Sequence, residues 1–187
     1  MTERVSSRHI LVTGGVRSGK SKYAEDLAGR LGGKVIYLAT AQALDAEMRR
    51  RIEKHRRHRP HDWTTIEEPV QVPEVLSKYQ KGTTVLLDCL TLYLSNLFFK
   101  YEHLDADGRE QAVNDQIIAL AATVKRSDAN IIIVTNEIGW GVVPDNELGR
   151  RFRDLAGSAN QTIAAVCEEV YLMVSGIPVR IKGGKDA

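Results

Sequence analysis

The sequence predicts an α/β fold, a mostly parallel sheet with helices on both faces and a hairpin at its C-terminal edge. Three observations predict it. Short β-branched apolar runs alternate with longer runs of helical period, the pattern of strands buried on both faces between helices. A glycine-rich stretch, Gly14-Gly15-Val16-Arg17-Ser18-Gly19-Lys20-Ser21, stands between the first apolar run and the first helical one. The last two apolar runs flank Ser175-Gly176-Ile177-Pro178, which reads as a hairpin connection.

A chain of 187 residues reads as one domain over 1–187, with 1–8 and 183–187 as loose termini. Its 43% hydrophobic and 27% charged residues are ordinary for a globular protein, and a net charge of +2 gives no general case for nucleic acid. Cys89 and Cys167 make neither a disulfide framework nor a metal pattern and read as small core residues. The polar start lacks the apolar core of a signal peptide, and no apolar run is long enough to span a bilayer. The expectation is a cytoplasmic protein with no membrane span.

In order, His9 to Thr13 is the first strand. The glycines after it match the P-loop, whose backbone N–H groups turn toward phosphate and whose helix adds a positive N-terminal end. In that pattern Gly14 to Ser21 bind a nucleoside triphosphate, Lys20 reaches the β- and γ-phosphates, and Ser21 ligates Mg²⁺. The helix of Lys22 to Leu31 stops at Gly32-Gly33. Val35 to Leu38 is the second strand, and its end places Thr40, Ala41 and Gln42 on the ligand side of an open sheet. Thr40 and Gln42 are candidates to touch nucleotide or, equally, to cap the next helix.

Asp45 to about His58 reads as a helix with Leu44, Met48 and Ile52 along one side, joined there by Arg51 and His55. Pro60 ends it. Arg49 to His61 holds seven Arg or Lys, three His and one Glu, either a solvated face or a surface for an anion. Trp63 to Ile66 is a short strand and Val72 to Tyr79 a short helix. Thr83 to Asp88 ends in an acid, the Walker B pattern, in which Asp88 holds Mg²⁺ directly or through water. Leu90 to Tyr101 is a buried helix, Glu102 to Gly108 a loop, and Arg109 to Lys125 a helix. Asn130 to Thr135 is a strand opening into a ligand-side loop from Asn136. Glu147 to about Glu168 is a long helix, and Val170 to Val174 with Val179 to Lys182 form the hairpin.

Several stretches together carry a resemblance. They are Val12 to Ser21, Tyr37-Leu38-Ala39-Thr40-Ala41, Asp45 to Trp63, Leu87-Asp88-Cys89-Leu90-Thr91, Val134-Thr135-Asn136-Glu137-Ile138-Gly139 and Val174-Ser175-Gly176. Over roughly residues 9 to 182 the chain resembles the bifunctional adenosylcobinamide kinase / adenosylcobinamide-phosphate guanylyltransferase family of cobalamin synthesis. The resemblance implies a RecA-like P-loop fold assembled as a homotrimer. It implies two reactions: phosphorylation of adenosylcobinamide by ATP or GTP, then transfer of GMP from GTP to the adenosylcobinamide phosphate through a guanylyl-histidine. The family's histidine segment maps onto Ile52, His55-Arg56 and Arg59-Pro60, making His55 the nucleophile. Nucleotide contacts fall on Gly14 to Ser21, Thr40 to Gln42, Arg56, Arg57, His58, Arg59, Glu67 and Asp88.

The chemistry agrees. Neutral imidazole is a nucleophile near pH 7, and adjacent cations favour its neutral form. Arg56, Arg57 and Arg59 also stabilise departing pyrophosphate. His58, one turn from His55, is the rival nucleophile, and His61 is close by. Asp88 and Glu137 are both candidates for the base that receives the acceptor hydroxyl's proton. Two other readings compete: a P-loop small-molecule kinase without nucleotidyl transfer, and a nucleotide-dependent nucleic-acid module using the basic run, which the balanced charge disfavours.

Overall fold

A computed structural model describes residues 7–184, with the side chains of residues 51, 54, 55 and 58 not among those described. The element order is β1 (His9–Gly14), α1 (Lys20–Leu31), β2 (Lys34–Ala39), α2 (Ala46–His58), β3 (Thr64–Glu67), α3 (Val72–Leu76) and β4 (Thr83–Asp88). It continues with α4 (Leu90–Lys100), α5 (Ala106–Arg126), β5 (Asn130–Val134), a 3-10 turn (Ile138–Trp140), α6 (Glu147–Val166), β6 (Glu169–Val174) and β7 (Ile177–Lys182). The seven strands form one sheet in the order β3-β2-β4-β5-β1-β6-β7, and every neighbouring pair is parallel except β6 with β7. The expected α/β class and edge hairpin are therefore present. β5 lies between the P-loop strand β1 and the acid-ending strand β4, the RecA-like arrangement.

Strand alternation sorts the side chains onto two faces. Leu11, Ile36, Leu38, Leu87 and Ile133 pack with α3, α4, α5 and α6. Ile10, Val12, Tyr37, Leu86 and Val134 pack on the other face against Ala24, Leu27 and Ala28 of α1. Each fully buried side chain of this size contributes about 1.5–3 kcal/mol, so the two faces hold the strands' C-terminal ends in fixed register. α2 is different: none of its described side chains is buried in either cluster. It is fastened by its ends. Asp45 caps it, its Oδ1 accepting from the Met48 N–H at 2.7 Å, and the Arg56 guanidinium pairs with Glu67 at the end of β3.

Several boundaries differ from expectation, each for a local reason. α5 begins at Ala106 rather than Arg109, because Asp105 accepts from the Gly108 N–H at 2.8 Å and so takes the glycine into the first turn. Leu44 lies ahead of α2 and is exposed. α3 ends at Leu76. Ile177 and Pro178 belong to β7, where an edge position tolerates proline, so the hairpin turn is only Ser175-Gly176. Ser7 and Arg8 are tied down: Ser7 Oγ donates to the Ser127 carbonyl at 3.2 Å, and Arg8 Nε to Glu169 at 2.8 Å.

Cys89 and Cys167 are buried free thiols, as the sequence suggests. Burial pushes each up to about 12 from an unfolded value of 9.0. Between those limits the unfolded chain releases thiol protons that the folded chain keeps. These two groups therefore contribute stability that is fully present below the unfolded value and is lost as pH rises toward 12. Both are expected to resist an aromatic disulfide reagent at pH 8 in the native protein and to react once denatured, which absorbance of the released thiolate measures. No helix of the described residues is long and apolar enough to cross a membrane.

Candidate functional site

The strand ends β1, β2, β4 and β5 open on a cleft of about 330 Å³. The P-loop forms its floor. Gly14 sits at φ +148°, where an added Cβ would lie 2.6 Å from the Met173 carbonyl, so only glycine fits. Gly19 sits at φ +95° and packs against Gly176, whose N–H donates to the Ser18 carbonyl at 2.9 Å. The β6–β7 turn thus braces the loop from behind. α1 starts without a side-chain cap, leaving its first-turn N–H groups turned to the loop as an anion site. Lys20 is buried, with its ammonium donating to the Gly15 carbonyl at 2.7 Å. Burial depresses its pKa, and the neighbouring Cys89 and Asp88 partly offset this. A buried ammonium with one neutral partner is suited to take a phosphate oxygen as another.

Opposite the loop, Asp88 ends β4 and accepts a short hydrogen bond from the hydroxyl of Tyr37. Burial, then Asp88, pushes that phenol well above its usual range, so it stays a proton donor. Arg59 lies flat on the Tyr37 ring, its guanidinium carbon 3.4 Å from the ring centroid. Its Nη1 donates to Thr65 Oγ1 at 3.3 Å, while its buried Nε has no partner among the described residues. Such a donor is costly unless an anion completes it. Glu67, Met48 and Ile52 close the cleft on the side of α2, and Asn136 closes it on the side of β5.

Of the residues expected from sequence, Val16, Arg17, Lys20, Ser21, Ala41, Arg59, Glu67 and Asp88 line this cleft, and Gly14, Gly15, Ser18 and Gly19 shape its loop. Thr40 is fully buried, its hydroxyl donating to the Cys89 carbonyl at 2.8 Å and accepting from the Cys89 N–H at 2.9 Å. It neither faces the cleft nor caps α2; it ties the end of β2 to the end of β4. Gln42 is half-buried outside the lining. Arg56 lines an adjoining cleft with Arg59, His61 and Trp63. Arg57 points to solvent, 3.9 Å from Glu53. His55 and His58 lie in α2, His55 three residues after the cleft-lining Ile52, but their side chains, like that of Arg51, are outside the described residues.

Sequence reasoning placed the loop from Asn136 on the ligand side and named Glu137, but missed Tyr37 and the partners Thr13, Thr91, Thr135 and Asn160 of the polar network behind that loop. Tyr37 was findable: it lies two residues before Ala39, the register partner of Asp88, and so shares its face of the sheet. In the network, Thr13 Oγ1 donates to Glu137 Oε1 at 2.5 Å and Asn160 Nδ2 to the same oxygen at 3.3 Å. Thr135 Oγ1 donates to Asn160 Oδ1 at 2.7 Å, and the Asn136 N–H to Thr91 Oγ1 at 3.0 Å.

Comparison with known proteins gives one consistent result. The family model described as cobinamide kinase / cobinamide phosphate guanyltransferase matches residues 10–181. The chain is 46% identical over 180 residues to the bifunctional adenosylcobalamin biosynthesis protein CobU of Escherichia coli K12, covering 92% of this chain and 99% of that one. It is 45% identical over 174 residues to the protein CobP of the same description from Pseudomonas aeruginosa, covering 92% and 96%. Among solved structures, a Pyrococcus horikoshii OT3 protein studied as project PH0250 superposes with a TM-score of 0.54 at 10% identity, over 97% of this chain and 89% of that one, a likeness of fold alone.

Proposed function

The chain belongs to the cobinamide kinase / cobinamide phosphate guanyltransferase family, and we propose that the P-loop cleft serves both reactions of a bifunctional enzyme of adenosylcobalamin biosynthesis. In the first, the hydroxyl of adenosylcobinamide takes the γ-phosphoryl group of ATP or GTP. In the second, His55 attacks the α-phosphorus of GTP, pyrophosphate leaves, and a phosphate oxygen of adenosylcobinamide phosphate displaces the histidine from the guanylyl group.

The observation that carries this reading is the shared wall: Met48 and Ile52 of α2 line the same cleft as Lys20, Ser21 and Asp88. The helix that bears His55 therefore runs over the triphosphate site. Lys20 and the first-turn N–H groups hold the β- and γ-phosphates for the first reaction. Arg59, with its unpartnered Nε, and Arg56 with Glu67 supply cations and an acceptor beside α2 for the second. The residues also fit Mg²⁺. Ser21 Oγ and Asp88 Oδ1 accept no hydrogen bond among the described residues, while Tyr37 holds the other Asp88 oxygen in place. Mg²⁺ bound there would neutralise charge on the triphosphate. A homotrimer and a cytoplasmic location belong to the same proposal and rest on the family to which the chain belongs.

The test is a product time course by mass spectrometry with GTP, Mg²⁺ and adenosylcobinamide. The phosphate should appear first and the GDP derivative second, with one pyrophosphate per GDP product. A chelator should stop both steps and added Mg²⁺ restore them. Accumulation of the phosphate alone would remove the transferase half.

A further inference from the structure

Phosphoryl transfer to a hydroxyl needs a group that takes the hydroxyl proton. Asp88 and Glu67 line the cleft, Glu67 paired with Arg56, and Glu137 directly follows the cleft-lining Asn136. Asp88 is poorly placed for it. By alternation it shares the α1 face of the sheet with Leu86. One of its oxygens is occupied by the Tyr37 hydroxyl, and Asp88 lines the cleft together with Ser21, which suits it to the metal instead.

Glu137 is held in a different way. Its N–H donates to the carbonyl of Gly14, the first P-loop residue, at 3.2 Å. Its Oε1 takes two donors, Thr13 at 2.5 Å and Asn160 at 3.3 Å. The Asn160 amide is itself oriented, because Thr135 donates to its oxygen at 2.7 Å and its Nδ2 also reaches the Asn136 carbonyl at 3.1 Å. Oε2 has no partner among the described residues, and the carboxylate is only half-buried. A carboxylate fixed through one oxygen, with the other free at the mouth of a P-loop, is pre-organised to accept a proton.

Its side of the sheet is also the right one. Thr13 follows Leu11 by two residues and so lies on the α6 face, opposite α1. A diphosphate leaving group would be held at the N-terminus of α1, in-line displacement sets the acceptor across the phosphorus from it, and Glu137 stands across β1 from α1. Just beyond Glu137 the chain is open: Gly139 and Trp140 are exposed, leaving room for a bulky acceptor.

We infer that Glu137 Oε2 is the general base of the kinase reaction, an inference that rests on the kinase reading above. The acceptor O–H gives its proton to Oε2 as its oxygen bonds to the γ-phosphorus. The bond from that phosphorus to the β,γ-bridging oxygen breaks, and the nucleoside diphosphate leaves with the electron pair.

Glu137→Gln separates this role from a structural one, since its amide oxygen can still accept from Thr13 and Asn160. Two rates are compared: phosphorylation of adenosylcobinamide, and guanylyl transfer from GTP to adenosylcobinamide phosphate supplied ready-made. The kinase kcat should fall by about 100-fold or more, with nucleotide KM and guanylyl transfer within about two-fold of the parent. A kinase kcat within a few-fold of the parent overturns the inference. So does an equal fall in both reactions, which would make Glu137 a brace for the loop. Absence of any cobinamide phosphate from the parent enzyme would instead defeat the kinase reading itself.

Discussion

Lys20→Met is expected to lower kcat/KM of the kinase reaction by about 10²–10³, the usual cost of removing one pre-organised charge from a transferring group. The ammonium is buried against the Gly15 carbonyl, with Asp88 and Cys89 near it. Guanylyl transfer should fall with it, because the proposal has GTP bind through the same loop. The fold should not. Burial already depresses the lysine's pKa, which means that its charged form carries a desolvation cost that methionine, of similar length, does not. Steady-state rates and a thermal melt on the same preparation test both halves: lost activity with an unchanged or raised Tm is expected. Lost activity with a lowered Tm would assign Lys20 a structural role.

His55→Ala is expected to have the larger and more selective effect. Removing a nucleophile that forms a covalent intermediate costs on the order of 10⁴–10⁶ in rate, so guanylyl transfer should be undetectable while cobinamide phosphorylation continues. Stability should move by less than about 0.5 kcal/mol, because the Asp45 cap and the Arg56–Glu67 pair that fasten α2 are untouched. His58→Ala, one turn on, should leave transfer largely intact. Chromatographic assay of the two corrinoid products in each variant separates the effects.

Much of this site was legible in the chain. The glycine spacing at Gly14 and Gly19 has a direct steric cause, since both residues sit at positive φ against the β6–β7 hairpin. The acid at the end of Thr83–Asp88 was readable because a P-loop precedes it, while the basic run of α2 read either as a solvated face or as a surface for an anion. What was not legible depends on long-range register. Thr40 looked like a ligand or a cap, but the pairing of β2 with β4 brings its hydroxyl to the Cys89 backbone. Asn160, 24 residues beyond Asn136, reaches the mouth of the cleft only because α6 packs back across the sheet. Gly108 resembled a loop residue until Asp105 was seen to cap across it. The strand order, with β5 between β1 and β4, comes from contacts far apart in sequence that no local pattern encodes.

The central claim is that the basic helix carries a guanylyl group. GTP labelled on the α-phosphate, with Mg²⁺ and no corrinoid, tests it directly when the protein is denatured and counted. Label should remain on the protein, be acid-labile and alkali-stable, and be absent from His55→Ala. Label that persists in His55→Ala, or a parent protein left unlabelled at saturating GTP and Mg²⁺, would contradict the account.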